Sequence, residues 1–206
     1  MLKKDGAKPE AAPLLIVLSG PSGVGKDAVI DALKKRNKGL HFIVTATTRP
    51  MRKGEKEGVD YFFLSEDMFK QGILEDEFLE WAKVYDHYYG VLRARVQEAL
   101  NRGSDAIVRV DVQGAATIKG KAPDAVFIFL APTSLKDLSK RLKQRASESQ
   151  ESLSLRMAKA RYEMERRHQF DYLVRNKTGQ LEKAVDEIEA IIAAEKLRVK
   201  PKRVKI

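Results

Sequence analysis

A glycine-rich stretch that ends in a lysine is the segment of this sequence with the clearest chemistry. It reads Gly-Pro-Ser-Gly-Val-Gly-Lys-Asp over residues 20–27 and closely follows the continuous apolar run of residues 14–18. A buried strand, a glycine-rich turn and a helix that starts at the turn are the setting of a phosphate-binding loop. Glycines let backbone N–H groups converge on phosphate oxygens, and the N-terminal end of the helix adds partial positive charge. The predicted nucleotide-binding residues are Gly20, Pro21, Ser22, Gly23, Val24, Gly25, Lys26 and Asp27.

The two last residues of this loop differ in how well they fit the pattern. Lys26 fits it and is expected to reach the β and γ phosphates. Asp27 stands where a serine or threonine hydroxyl normally binds Mg²⁺. A carboxylate oxygen is also a good Mg²⁺ ligand, although it adds negative charge beside the phosphates. We therefore predict nucleotide binding, with Asp27 as the metal ligand.

The elements around the loop alternate between strands and helices. Apolar runs over residues 106–111 and 125–131 predict two further buried strands, and an amphipathic pattern over residues 181–192 predicts the last helix. This alternation indicates an α/β fold with a parallel sheet flanked by helices. Residues 45–92 are richer in charges and aromatic residues, which suggests an inserted subdomain. Helices are also predicted over residues 25–36, 91–101, 134–145 and 153–170, and short strands over 41–44 and 172–175.

Composition excludes several classes of protein. The chain has 206 residues and no cysteine, so a disulfide framework, a thiolate metal site and a cysteine nucleophile are excluded. No apolar run approaches the ~20 residues of a membrane span, and the first thirteen residues lack a secretory signal, so we expect a cytoplasmic protein. The net charge is +10, but six of the basic residues lie within residues 196–206. Such a run is usually a solvated tail, which argues against nucleic acid as a partner.

One class of phosphate-loop protein that competes for these motifs is the small GTPase. Residues 111–114 fit its D-x-x-G motif, and residues 176–179 resemble N-K-x-D. The second motif lacks the final aspartate, which would accept hydrogen bonds from guanine, and the phosphate loop lacks its hydroxyl. A GTPase is therefore the weaker alternative.

Motifs outside the loop resemble those of guanylate kinases. Residues 47–55 read T-T-R-x-x-R-x-G-E, and Glu-Trp at 80–81, Tyr-Tyr-Gly at 88–90 and Val-Asp-Val-Gln-Gly at 110–114 follow. The resemblance runs from about residue 14 to residue 196. It implies a P-loop kinase core (14–44 and 93–196), an inserted mixed α+β GMP-binding subdomain (45–92) and a short lid (about 145–153), between a flexible N-terminal tail (1–13) and a basic C-terminal tail (197–206).

The resemblance implies a GMP site with a phosphate end and a guanine end. Arginines suit the phosphate because their planar fork binds its oxygens bidentately. Carboxylates suit guanine because its N1–H and N2–H₂ are donors, whereas adenine N1 is an acceptor. The implied phosphate-binding residues are Arg49, Arg52, Tyr61 and Tyr89; the guanine-reading acids are Glu80 and Asp111, and Thr45 donates to guanine O6. Glu55 matches the family too, but it is equally compatible with capping its own loop.

On the ATP side, the resemblance implies four catalytic cations and a residue near the adenine. The cations would hold the phosphoryl group as it moves from ATP to GMP, with Mg²⁺ as cofactor and ADP and GDP as products. The implied catalytic residues are Lys26, Arg141, Arg145 and Arg156, and Asn176 lies near the adenine ring. The sequence does not indicate an oligomeric state.

Three residues depart from the family pattern. Asp27 replaces a hydroxyl, Val91 stands where a second hydroxyl would contact guanine O6, and Arg109 replaces an acid. Because residues 107, 109 and 111 share one face of a strand, Arg109 is expected on the side of the site, where it would pair with Asp27. These departures keep open a second alternative, a guanylate-kinase-like module that binds a protein and has lost catalysis. Trp81 is expected in the core.

Overall fold

The computed structural model describes residues 12–84, 86–144 and 150–206. Nine strands are present in this part of the chain: β1 (Leu15–Ser19), β2 (Leu40–Phe42), β3 (Ala46–Thr47), β4 (Phe62–Phe63), β5 (Phe78–Val84), β6 (His87–Leu92), β7 (Asp105–Arg109), β8 (Val126–Ala131) and β9 (Tyr172–Arg175). The helices described are α1 (Lys26–Arg36), α2 (Glu66–Leu74), α3 (Arg93–Asn101), α4 (Val112–Lys121), α5 (Leu135–Gln144), α6 (Gln150–Glu165) and α7 (Leu181–Lys196), with a 3₁₀ turn over Arg166–Gln169.

A five-stranded parallel sheet of order β2-β7-β1-β8-β9 forms the core. Both faces of the sheet are buried, because successive residues of β1 enter different apolar clusters. Ile16 and Leu18 pack in the cluster that includes residues of α1 and α7, whereas Leu15 and Val17 pack in the cluster that includes residues of α3 and α4. The predicted α/β fold, with helices on both faces of a parallel sheet, is confirmed.

A second sheet, of order β4-β3-β6-β5, lies entirely within the predicted insertion. Its strands are mostly antiparallel, and α2 packs on it through Phe69, whose ring stacks on that of Phe78 at 4.2 Å between centroids. Two of its strands are only two residues long. This small sheet and its loops carry most of the residues predicted to bind GMP, whereas Asp111 lies outside it, at the start of α4.

Several sequence-based expectations differ from the structure. The helix predicted over 91–101 begins at Arg93, because Val91 is a strand residue that pairs with Glu80. Helix α4 was not predicted, since its residues show no clear apolar period; its start is set instead by the capping side chain of Asp111. Trp81 is 44% exposed rather than in the core, because β5 is an edge strand and this residue points outward.

The basic C-terminal segment lies against the core rather than extending into solvent. Val204 and Ile206 pack against the cluster on one face of the large sheet, and Lys202 pairs with Asp171 at 3.3 Å. The side chains between them face outward, so the segment alternates as an extended strand does. The predicted N-terminal tail and lid fall largely outside the described residues. Within the described ranges, no helix has the length and apolar character that crossing a membrane requires.

Candidate active site

The loop between β1 and α1 is shaped by glycines that no other residue could replace without strain. Gly20, Gly23 and Gly25 have φ values of 144°, 80° and 98°. A Cβ on Gly20 would lie 2.2 Å from the carbonyl oxygen of Leu130 on the neighbouring strand. These conformations place the loop directly over the N-terminus of α1, where backbone N–H groups and the helix dipole favour an anion.

Lys26 closes this loop on itself. Its Nζ donates to the carbonyl oxygens of Gly20 at 2.5 Å and Pro21 at 3.3 Å. Burial, together with the charge of Arg109, lowers the pKa of Lys26 to about 8, although the nearby carboxylates of Glu163 and Asp111 act in the opposite direction. Lys26 therefore remains a cation at neutral pH, held where the phosphates of a nucleotide would lie.

Glu163 belongs to the site although sequence reasoning did not identify it. It lies on α6, is 2% exposed, and accepts a hydrogen bond at 3.1 Å from the backbone N–H of Ser22. Burial raises the pKa of its carboxyl group, and the charge of Lys26 acts in the opposite direction. No motif marked this residue, because it is one of several acids on a charged helix far from the loop in sequence.

Arg141 and Asn176 meet on the outer side of the loop. Arg141 Nη1 and Asn176 Nδ2 both donate to the carbonyl oxygen of Val24, at 2.9 Å and 2.8 Å. Arg141 also donates to the Asn176 carbonyl oxygen at 2.6 Å, and both residues line one cavity with Thr178. The structure thus brings together these two predicted ATP-site residues. Arg156 lies half-buried in α6, and Arg145 falls outside the described residues.

On the other side of the site, Arg49 is held by a carboxylate and by the rings of Tyr61 and Phe63. Its Nη2 lies 2.7 Å from Oε1 of Glu55, and its guanidinium lies 5.3 Å from the ring centroid of Tyr61. The ring of Tyr89 is 6.1 Å from that of Tyr61. The ion pair raises the pKa of Arg49 and lowers that of Glu55, so both remain charged. Three predicted phosphate-binding residues are therefore clustered.

Glu55 uses both of its oxygens within this cluster. Oε2 accepts the backbone N–H of Arg52 at 2.7 Å, while Oε1 pairs with Arg49. This arrangement agrees with the capping role considered for Glu55. The side chain of Arg52 is exposed at the tip of the same loop.

The two predicted guanine-reading acids are neighbours. Glu80 on β5 is 7% exposed, and burial together with the charge of Asp111 raises its pKa to about 7. Asp111 caps α4, with Oδ1 accepting the N–H groups of Gln113 at 3.0 Å and Gly114 at 2.9 Å. Within the described residues, the structure records no donor to the Glu80 carboxylate. Its hydrogen-bonding capacity is thus available for a ligand.

Two other positions complete the acceptor side. Thr45 lines an open cleft with Tyr61, as expected for residues on one ligand. Val91 is 1% exposed and packs in the core, so it presents no polar group where the resemblance led us to expect a hydroxyl.

Asp27 and Arg109 form the ion pair that the sequence predicted. Arg109 is the last residue of β7, and Asp27 is the second residue of α1, so both lie at the carboxyl edge of the large sheet. The predicted role of Asp27 as a Mg²⁺ ligand does not fit this arrangement, because a guanidinium engages its carboxylate. In the described part of the chain, no three carboxylates or histidines are grouped to hold a metal.

Comparison with known proteins agrees with this geometry. A family model described as guanylate kinase matches residues 13–195. Guanylate kinase from Caldanaerobacter subterraneus subsp. tengcongensis is 47% identical over 186 residues, covering 90% of this chain and 89% of the relative. Guanylate kinase 2, chloroplastic/mitochondrial, from Oryza sativa subsp. japonica is 45% identical, covering 96% and 70%. The crystal structure of guanylate kinase from Anaplasma phagocytophilum is similar with a TM-score of 0.71 and 28% identity, covering 92% of this chain and 89% of that chain. The chain belongs to the guanylate kinase family.

Proposed function

We propose that this protein is a nucleoside monophosphate kinase that transfers the γ-phosphoryl group of ATP to GMP, giving ADP and GDP, as a step of purine nucleotide metabolism. The observation that carries the proposal is the pair of neighbouring acids, buried Glu80 and half-buried Asp111, together with a phosphate loop whose Lys26 lines one cavity with Asp111. A loop of this kind binds many different nucleotides, whereas two neighbouring carboxylates suit the donors of guanine, and Arg49 with Tyr61 and Tyr89 suits the phosphate of a nucleoside monophosphate.

In the proposed complex, the acceptor side binds GMP at both ends. Arg49, Arg52, Tyr61 and Tyr89 hold the phosphate. Glu80 and Asp111 accept hydrogen bonds from guanine N1–H and N2–H₂, and Thr45 donates to O6. Adenine presents an acceptor at N1, so AMP would leave the acids without donors, and sites of this kind discriminate by about 10⁴-fold. Residues 45–92 act as the GMP-binding insertion.

On the donor side, loop residues 20–27 bind the phosphates of ATP, and Lys26 contacts the β and γ phosphates. Asn176 contacts the adenine. An oxygen of the GMP phosphate forms a bond to the γ-phosphorus while the bond to the β–γ bridging oxygen breaks, and that oxygen leaves with the electron pair as part of ADP. The transition state carries charge on its equatorial oxygens, so cations do most of the catalysis. Arg141, Arg145 and Arg156 would supply further charge from the lid side.

Mg²⁺ enters the proposed reaction as part of the substrate MgATP. The ion pair of Asp27 with Arg109 supports this form of entry over a metal site built by the protein. We also propose that the protein acts in the cytoplasm.

The test is ADP release from MgATP with GMP, AMP, CMP and UMP as acceptors in separate reactions. Turnover with GMP alone is the expected result. GMP binding without turnover would favour the alternative of a protein-binding module, and GTP hydrolysis without any acceptor would favour a GTPase. Turnover with another monophosphate would move the specificity away from guanine and overturn the role given to Glu80.

A further inference from the structure

We propose that Arg109 is a further catalytic residue, whose guanidinium is held by Asp27 and contacts the phosphoryl group as it passes from the phosphate loop to the acceptor. This inference rests on the proposed function, because it concerns the same transfer. It assigns a role to Asp27 and Arg109, two of the three residues that depart from the family pattern.

The first support is the place of the pair between two cavities. One cavity is lined by the phosphate loop, including Ser22 and Lys26. The other opens towards Thr45 and Tyr61 on the acceptor side. Among the described residues that line them, Asp27 and Arg109 are common to both cavities. The ion pair therefore lies where the two cavities adjoin.

The second support is the backbone that holds Arg109. Arg109 is the last residue of β7. It is in register with Leu18, the second-last residue of β1, so it lies beside the point where the phosphate loop begins. Asp27 follows the loop lysine directly at the start of α1. The ion pair therefore ties the central strand edge to the helix N-terminus, which fixes the guanidinium without using a mobile segment.

The third support is hydrogen-bonding capacity. A guanidinium has five N–H donors in a fixed plane, and one carboxylate can engage at most two of them. The side chain of Arg109 keeps 40% of its surface exposed and lines both cavities, so donors that Asp27 does not engage are accessible to a ligand there. Their fork geometry matches phosphoryl oxygens.

The fourth support is the balance of charge. Asp27 alone would repel the phosphates beside it, and its pairing with Arg109 removes that repulsion. Arg109 and Lys26 lie close enough that the charge of one disfavours protonation of the other. The carboxylates of Asp111 and Glu163 moderate this repulsion, and a phosphoryl group between the two cations would relieve it more fully.

The kinetic test uses Arg109→Gln and Arg109→Lys, with Arg102→Gln as matched control, since Arg102 also pairs with one carboxylate but lies at the end of α3. We expect Arg109→Gln to lower kcat by about 100-fold, as loss of a donor to transition-state charge does, while KM for GMP changes less than threefold. The kcat of Arg109→Lys should lie between those of wild type and Arg109→Gln, because lysine retains the charge but lacks the planar fork of donors. Unchanged kcat in Arg109→Gln, with the same melting temperature as wild type, overturns the proposal.

A second readout needs neither metal nor turnover. Binding of β,γ-imido-ATP and of ADP is measured by calorimetry in EDTA. Arg109→Gln should weaken the triphosphate analogue about tenfold, the loss expected of a charge-assisted hydrogen bond, and leave ADP within twofold. Equal losses for both ligands would place the guanidinium away from the γ-phosphate and contradict the inference. If wild-type protein shows no turnover with GMP, the proposed function fails, while this binding comparison still decides the contact.

Asp27 is assigned a positioning role, which Asp27→Asn tests in both backgrounds. If Asp27 acts through Arg109, adding Asp27→Asn to Arg109→Gln causes no further loss of kcat, and removal of the unpaired carboxylate restores part of the activity. Multiplicative losses in the double variant would mean that Asp27 acts by itself on the metal or the phosphates, and would overturn the positioning role. Asp27→Glu retains the negative charge, so we expect its kcat to lie closer to that of wild type than the kcat of Asp27→Asn does.

Discussion

The donor and acceptor sides of this site are held in place by different kinds of contact. On the donor side, side chains donate to backbone carbonyl oxygens: Lys26 to Gly20, and both Arg141 and Asn176 to Val24. On the acceptor side, the central contact joins two side chains, Arg49 and Glu55, and each of them also bonds to the backbone of its own loop. The donor side therefore takes its geometry from the loop backbone, while the acceptor side depends on the identity of a few residues.

This difference matches what each side has to recognise. Phosphates are common to all nucleotides, and a ring of backbone groups with fixed cations binds them without reading a base. Guanine must be told apart from adenine, and the structure reserves a buried carboxylate, Glu80, for which no donor is recorded among the described residues. Burial and the charge of Asp111 raise the pKa of Glu80 to about 7, because both disfavour the ionised carboxylate.

The largest effect is expected from Lys26→Ala, which removes charge from the donor side alone. We expect kcat to fall by ~10³-fold, since one cation on a transferring phosphoryl group contributes at least this much. GMP affinity should remain unchanged, and it can be followed by the fluorescence of Trp81, the chain's single tryptophan, which neighbours Glu80 on β5. A parallel loss of GMP affinity would contradict the separation of the two sides.

Glu80→Gln should act on the acceptor side alone. The amide replaces an acceptor with a group that also presents donors to guanine, so GMP affinity should fall by about 100-fold, the value of a hydrogen bond to a charged group. Calorimetry should show ATP affinity within twofold of wild type. If AMP and GMP are discriminated as well by this variant as by wild type, the guanine-reading role of Glu80 is wrong.

The pH dependence of GMP binding sharpens the same point. Because the folded-state pKa of Glu80 is raised to about 7, its ionised form, the form that accepts from guanine, is lost as pH falls through that value. GMP affinity should therefore fall about tenfold from pH 8 to pH 6. The GMP phosphate also titrates near pH 6. In the Glu80→Gln variant, the GMP phosphate still titrates but the carboxyl group is absent. The same pH profile in variant and wild type would therefore exclude Glu80 as the cause.

The raised pKa of Glu80 also makes the free energy of unfolding depend on pH. Between the ordinary carboxyl pKa of 4.5 and about 7, the folded protein binds more protons at Glu80 than the unfolded chain does. Its contribution to the free energy of unfolding therefore falls as pH rises through this window. Thermal melts of wild type and Glu80→Gln should converge towards pH 4.5 and diverge towards pH 8, with the variant the more stable at high pH.

How much the sequence reveals follows the same division. The phosphate loop and β1 are local patterns, so their structure was predictable from spacing. Alternation along β7 placed Arg109 on the side of the site, and its opposite departure in charge from the family pattern predicted the pair with Asp27. Glu163 was not predictable, because α6 brings it to Ser22 across 141 positions in sequence. Trp81 was misplaced because a residue pattern does not show that β5 is an edge strand. Helix α4, which Asp111 caps, was not predicted because its sequence has no clear apolar period.

The smallest effect is expected from Gly114→Ala, which tests the packing beneath the guanine site. A Cβ at this position would lie 2.8 Å from Oε2 of Glu80, so the carboxylate must shift. One weakened hydrogen bond costs ~1 kcal/mol, which is about a fivefold loss of GMP affinity. Alanine is a better helix former than glycine, so α4 itself should not be destabilised. Gly120→Ala is the matched control, because it lies in the same helix and a Cβ there meets nothing within 4 Å. Equal GMP affinities in the two variants would mean that Glu80 tolerates the shift, and that recognition depends less on the position of this carboxylate than on its charge.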